Sequence, residues 1–248
     1  MQIILSPTKK MLVSIDSFLP EQSPLFIDET TEILAELKKL SYEEAKTLWQ
    51  CSDKLAQENY AHLQELNLTN QTSPAVMTYK GIQYQYMAPD LLTDDGLTYL
   101  QQHLRILSGF YGILRPFDGV VPYRLEMQAN LAVGDTKNLY EFWGKKLYDT
   151  LTTEAGPIIN LASKEYSKAI TPYLKPTDLF IEPVFASLVD GKLKVKATLA
   201  KMARGEMVRF MAENQITTLE GMKQFDHPDY AYAPEFSDEQ KMVFIKNN

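Results

Sequence analysis

The sequence predicts a mixed α/β fold, and three observations carry that expectation. Short apolar runs suited to buried strands recur at residues 3–6, 106–107, 157–162 and 179–189. Between them lie longer stretches whose apolar residues return every three or four positions, the spacing of an amphipathic helix. Asp190-Gly191 separates two strand-like runs as a hairpin signal, so a mixed parallel and antiparallel sheet flanked by helices is expected. The 248 residues contain no repeat, low-complexity tract or linker, which makes one domain over 1–248 the expected organisation.

Taken in order, residues 3–6 form the first strand and stop at Pro7, leaving Ser6, Thr8, Lys9 and Lys10 in the following loop. Ligands of α/β proteins sit in loops of this kind, although a plain strand exit with solvated lysines fits equally well. From Asp28 to Asn67 the spacing of Ile33, Leu34, Leu37, Leu40, Leu48, Leu55 and Leu63 is helical, and Ser41 with Glu44 forms a capping-box pattern that divides the stretch. Ala75 to Met87 alternates and is rich in aromatics, so one or two strands are expected there. Thr93-Asp94-Asp95 starts a helix that continues through Leu97, Leu100 and Leu104. A helix over 138–154 is expected from Leu139, Phe142, Trp143 and Leu147. After the strand at 157–162, Ser163 caps a helix. The KLKVKA run past Gly191 should place its lysines on a wet face and Leu193, Val195 and Ala197 on a packed one. Thr198 then caps a helix with Ala200, Ala203, Met207, Phe210 and Met211 inward, and Met242 to Ile245 returns as an edge strand.

Composition excludes several classes. With 45% hydrophobic and 23% charged residues the chain is neither disordered nor a coiled coil. One cysteine, Cys51, excludes a disulfide framework, and His62, His103 and His227 share no helical face, so no metal site is expected. The N-terminal apolar run is too short for a signal peptide or a membrane span, which makes the cytoplasm the expected compartment and a membrane partner unexpected. No GxSxG, Walker, GxGxxG or HExxH motif is present, and no cofactor is expected.

Net charge is −7, but it divides unevenly: −7 over residues 1–104, +4 over 105–209 and −4 over 210–248. All five arginines fall in two windows of the positive part: Arg105, Arg115 and Arg124, then Arg204 and Arg209. A guanidinium offers a rigid fork of donors that fits phosphate or carboxylate, so these arginines, with Lys201, are candidate anion-binding residues. The competing reading makes them partners of carboxylates such as Glu126 and Glu206, or caps of helix ends. Ser108 to Gly112 is a glycine-bracketed turn whose N–H groups could face a phosphate. Glu126, Glu165 and Glu206 each lie near a basic residue, an arrangement that fits general acid–base chemistry but more often reflects structural ion pairing.

ILSPTK at 4–9, HLRILSGFYGILRPFDGVVPYRLEM at 103–127, LYEFWG at 139–144, INLASKEY at 159–166 and AKMARGEMVRF at 200–210 together resemble the peroxide stress resistance protein YaaA family over essentially the whole chain. The pattern differs at Lys10-Met11 and Thr198-Leu199. The resemblance implies protection against hydrogen peroxide that limits free iron and oxidative DNA damage. It also implies a positively charged cleft, a helix-hairpin-helix-like element and DNA binding. The leading expectation is therefore a cytoplasmic, monomeric protein that binds double-stranded DNA or another phosphate-bearing ligand through Arg105, Arg115, Arg124, Lys201, Arg204 and Arg209. The alternative is an enzyme acting on a nucleotide, nucleobase or damaged base, with Ser6, Lys9, Ser108, Tyr123, Glu165 and Lys201 as candidate catalytic residues. A third reading is a basic face that meets an acidic protein partner.

Overall fold

Ile3, Ile4 and Leu5 are wholly buried, so the strand they form is covered on both faces, as in a parallel sheet. The computed structural model describes residues 1–13, 18–70, 72–225 and 228–247. Its main sheet has eight strands: β1 (Gln2–Leu5), β2 (Leu104–Ser108), β3 (Gly112–Leu114), β4 (Ile158–Leu161), β5 (Phe180–Val189), β6 (Lys192–Lys194), β7 (Tyr230–Tyr232) and β8 (Lys241–Lys246). The spatial order is β7-β8-β5-β4-β1-β2-β3, with β6 paired to β5 beside that path. The run β8-β5-β4-β1-β2 is parallel, while β3, β6 and β7 pair antiparallel to their neighbours. The mixed α/β architecture read from the sequence is therefore the one observed.

Helices pack around this sheet. Ile27–Lys39, Tyr42–Trp49 and Asp53–Glu65 occupy the acidic N-terminal stretch. The capping box forms: the Glu44 N–H reaches Ser41 Oγ, and Glu44 Oε2 accepts the Ser41 N–H at 2.8 Å. Thr93 caps the Asp94–His103 helix by accepting the Gly96 N–H. Among the described residues no helix is long and apolar enough to cross a membrane.

Five local expectations are corrected. Residues 75–87 are mostly helical, with Ala75–Thr78 and Ile82–Met87 joined through the two-residue strand Tyr79–Lys80. Tyr79 and Tyr84 are both buried, because this segment is covered on several sides and alternation loses its meaning. The 138–154 helix is broken into Leu139–Trp143 and Lys146–Leu151 at Gly144, which adopts φ +48°. Residues 192–194 are exposed on both faces, since the β5–β6 hairpin extends past the sheet; Leu193 and Val195 do not pack. The long helix runs Ala197–Glu213 with Lys196 at its N-cap, two residues ahead of Thr198. Finally, β8 lies between β5 and β7, so the tail strand is internal and largely buried.

Two aromatic and glycine contacts fix how the layers meet. Trp143 is fully buried and donates from Nε1 to the Gly109 carbonyl at 3.0 Å. Gly205, in the long helix, lets that helix touch the Ile82–Met87 helix: a Cβ there would stand 2.1 Å from the Gln83 carbonyl oxygen. This contact sets the wall of the site described next.

Candidate functional site

A sheet in which strand order reverses leaves a crevice where two neighbouring loops depart in opposite directions. Here the chain leaves β1 for β2 on one side, and leaves β4 for β5 on the other. The loops after β1 and β4 bound a cavity of about 460 Å³, with walls from the Ile82–Met87 and Ala197–Glu213 helices. That volume suits a nucleotide-sized ligand. Five cations line it, Lys9, Lys10, Lys80, Lys201 and Arg204, against two carboxylates, Glu126 and Glu165.

The floor is built by serines. Ser6 Oγ accepts the Ser163 N–H at 2.8 Å and lies 3.3 Å from Ser163 Oγ, to which it donates. The Ser6 carbonyl accepts the Tyr84 hydroxyl at 3.0 Å. Ser6 thus ties the two strand-end loops to each other and to the helical wall. Lys9 Nζ pairs with Glu126 Oε1 at 2.8 Å, and Arg124 Nη2 lies 3.9 Å from the same oxygen. Glu165 is half-buried and accepts the Gln128 N–H at 3.3 Å. Burial pushes its carboxyl above the ordinary range; the Gln128 N–H and Lys9 oppose that, and nearby Glu126 reinforces it.

Arg204 is a partly buried cation in the cavity wall. Its Nε is buried with no hydrogen-bond partner among the described residues, and desolvation lowers its pKa, with attraction to Glu182 as the opposing influence. A guanidinium left this way carries a desolvation cost that an anion would offset. Gln83, also buried in the cavity lining, has an amide nitrogen without a partner among the described residues.

The sequence-derived candidates separate into three groups. Ser6, Lys9, Glu165, Lys201 and Arg204 meet in the cavity, and Arg124 borders it through Glu126. Ser108 and Tyr123 lie in a hydroxyl chain: Ser108 Oγ is 2.6 Å from the Tyr123 hydroxyl, which is 2.9 Å from that of Tyr79. Ser108 also accepts the Phe110 and Tyr111 N–H groups at 3.1 and 2.9 Å, so the glycine-bracketed turn spends those donors internally. Burial of the hydroxyl end pushes Tyr123 up to about 12. Arg105, Arg115 and Arg209 stand elsewhere with intramolecular partners. Arg105 donates to the Leu104 and Gln101 carbonyls, closing a helix end; Arg115 pairs with the buried Asp118 at 2.9 Å; Arg209 pairs with Glu213 at 2.8 Å.

Sequence reasoning missed Lys80 and Gln83, which reach the cavity from the segment expected to be strand. Their only signal was the Lys80-Gly81 pair, where the chain turns into the Ile82–Met87 helix. His62 and His103 contact the Pro122 and Met1 carbonyls; His227 lies outside the described residues. The helices Tyr42–Trp49 and Asp53–Glu65 are consecutive and joined by the three residues 50–52. That connection contains no glycine, and Asp53 at the start of the second helix already pairs with Lys46 at 2.6 Å.

Fold and site together define an α/β protein with a cation-rimmed cavity at the switch point of a mostly parallel sheet. Residues 1–236 match the family described as Peroxide stress protein YaaA, and the chain belongs to that family. It is 59% identical to a UPF0246 protein of Lactiplantibacillus plantarum, over 99% of this chain and 99% of the relative. A UPF0246 protein of Pediococcus pentosaceus is 55% identical over 100% of this chain and 98% of its own. One from Agathobacter rectalis is 51% identical over 98% of each.

Proposed function

We propose that this chain is a cytoplasmic, monomeric peroxide-stress protein, one domain over residues 1–248, that limits iron-linked oxidative damage by binding DNA. The switch-point cavity receives one nucleotide of the strand: Arg204 and Lys201 hold the phosphate, and the base lies toward Gln83 and Glu165. The observation that supports this reading is the buried, unpartnered Nε of Arg204 in a cavity of about 460 Å³. A nucleotide brings the missing anion together with a polar base edge for the remaining donors. Access to a base within a duplex requires that it leave the stack, so damaged, mismatched or single-stranded positions are favoured.

The test is equilibrium binding of fluorescent DNA to the full chain and to a Lys201→Ala, Arg204→Ala variant at several salt concentrations. Each charge-assisted contact is worth about 1.5–3 kcal/mol, so losing both should weaken binding at least about tenfold across unrelated sequences. The salt dependence should become shallower, because fewer phosphate counterions are released. Unchanged affinity and salt slope in a folded variant would overturn the assignment.

Glu165 supports a second reading, catalysis on the bound nucleotide or base. A half-buried carboxyl whose pKa is raised by burial holds its proton more readily than an ordinary carboxylate, which suits it to proton transfer with a bound ligand. Incubation with nucleosides, nucleotides and lesion-bearing duplexes tests it; product that disappears in Glu165→Gln supports catalysis, and absence of turnover on all of them removes it.

A further inference from the structure

Arg204 belongs to two cavities. The second, of about 490 Å³, shares no other lining residue with the first, yet Lys164 on its rim belongs to the short Lys164–Ser167 helix that carries Glu165 and starts from Ser163. Its walls are different in kind. Leu193 and Val195 of the β5–β6 hairpin region are 37% and 57% exposed, and Phe236 is half-buried outside the hydrophobic core. Lys164, Lys241 and Arg204 supply cations, while Glu182 and Asp238 supply acceptors.

Apolar side chains left open beside a cationic rim call for a ligand that is flat and apolar on its faces, anionic at one end and polar at its edge. We propose that this second cavity is a subsite for the base of the neighbouring nucleotide, with Arg204 gripping the phosphodiester that joins it to the nucleotide in the switch-point cavity. The inference rests on the nucleotide reading of the first cavity. Phe236 and the aliphatic Leu193 and Val195 offer surfaces to the base face, because stacking on such groups needs no sequence-specific contact. Glu182 can accept from ring N–H and amino groups, and Asp238, whose Oδ1 already takes the Gln240 and Lys241 N–H groups at 2.8 Å, adds negative charge to the rim. Those same carboxylates disfavour an acidic peptide, which would meet like charge on that rim. The planar fork of Arg204 lines both cavities, and its buried Nε has no partner among the described residues, an arrangement that suits a single phosphate approached from both sides.

The experiment compares thymidine monophosphate with the dinucleotide dTpdT by calorimetric titration of the full chain, together with Val195→Asp and Phe236→Ala. Both substituted side chains are partly exposed, and circular dichroism checks the fold. The dinucleotide should bind the native protein at least about fivefold more tightly than the mononucleotide, the scale of one stacked base. Each substitution should remove that gain and leave mononucleotide affinity unchanged. A dinucleotide no tighter than the mononucleotide, or a gain that survives both substitutions, overturns the second subsite while the first cavity stands. Binding of neither compound overturns the nucleotide reading and this inference with it. An acidic aromatic peptide that binds more tightly than dTpdT, with the same dependence on Val195 and Phe236, replaces the nucleic-acid occupant with a peptide.

Discussion

Gly205→Ala isolates the contact that holds the site together. The Ala197–Glu213 and Ile82–Met87 helices meet so closely that a new Cβ would lie 2.1 Å from the Gln83 carbonyl oxygen and 2.9 Å from the Met87 nitrogen. Both obstacles are backbone, so no rotamer change relieves them. Reaching an ordinary contact of 3.4 Å requires the helices to part by more than an ångström. Overpacking of this kind costs about 1–3 kcal/mol, and a backbone clash belongs at the upper end. Alanine returns about 1 kcal/mol of helix propensity, leaving a net loss of about 2 kcal/mol. For a chain of this length that lowers the melting temperature by about 4–8 °C. Because Gln83 moves with its helix and Arg204 adjoins residue 205, nucleotide binding should weaken in the same variant. Urea unfolding gives the midpoint and slope. A midpoint at or above that of the native protein, at unchanged slope, would refute the close-packing argument.

Two further predictions concern pH. The side chain of Asp118 is fully buried, and burial pushes its carboxyl up to about 6 against the opposing Arg115 backbone N–H and guanidinium. Its folded pKa therefore exceeds the unfolded value, the folded state binds more protons between the two, and Asp118 costs stability as pH rises through about 6. Urea midpoints across that window should fall more with pH in the native protein than in Asp118→Asn; equal slopes would contradict the burial. Glu165, raised by burial, should weaken anion binding as it ionises, so nucleotide affinity should tighten as pH falls through its raised pKa. Glu165→Gln should bind more tightly at neutral pH and lose that dependence, and titrations in which neither happens would place the ligand away from this carboxyl.

Local signals were legible wherever one interaction dominated. The Ser41–Glu44 capping box, the Thr93 cap and the Asp190-Gly191 turn depend on neighbours in sequence, and each forms. Ser6, Lys9, Glu165, Lys201 and Arg204 could be singled out by residue type, and the fold brings them together. Residues 75–87 misled because Tyr79, Tyr84 and Met87 are buried by long-range packing, which erases the two-residue rhythm that marks a half-exposed strand. Lys80 and Gln83 were missed with that segment. The Ser108 turn misled for a related reason: its N–H groups are turned toward a hydroxyl of the same turn.

By itself the sequence determined the α/β class, the family and the concentration of arginine in the positive third of the chain. Those properties follow from periodicity, motif order and composition, all of which are local or summed along the chain. Only the tertiary structure decided which arginines are free to meet a ligand. Arg105, Arg115 and Arg209 have carbonyl or carboxylate partners; Arg204 lines two cavities, and its Nε, like that of Arg124 behind Glu126, has none among the described residues. A guanidinium's role is set by what lies within a few ångströms of it, and that depends on strands and helices distant in sequence.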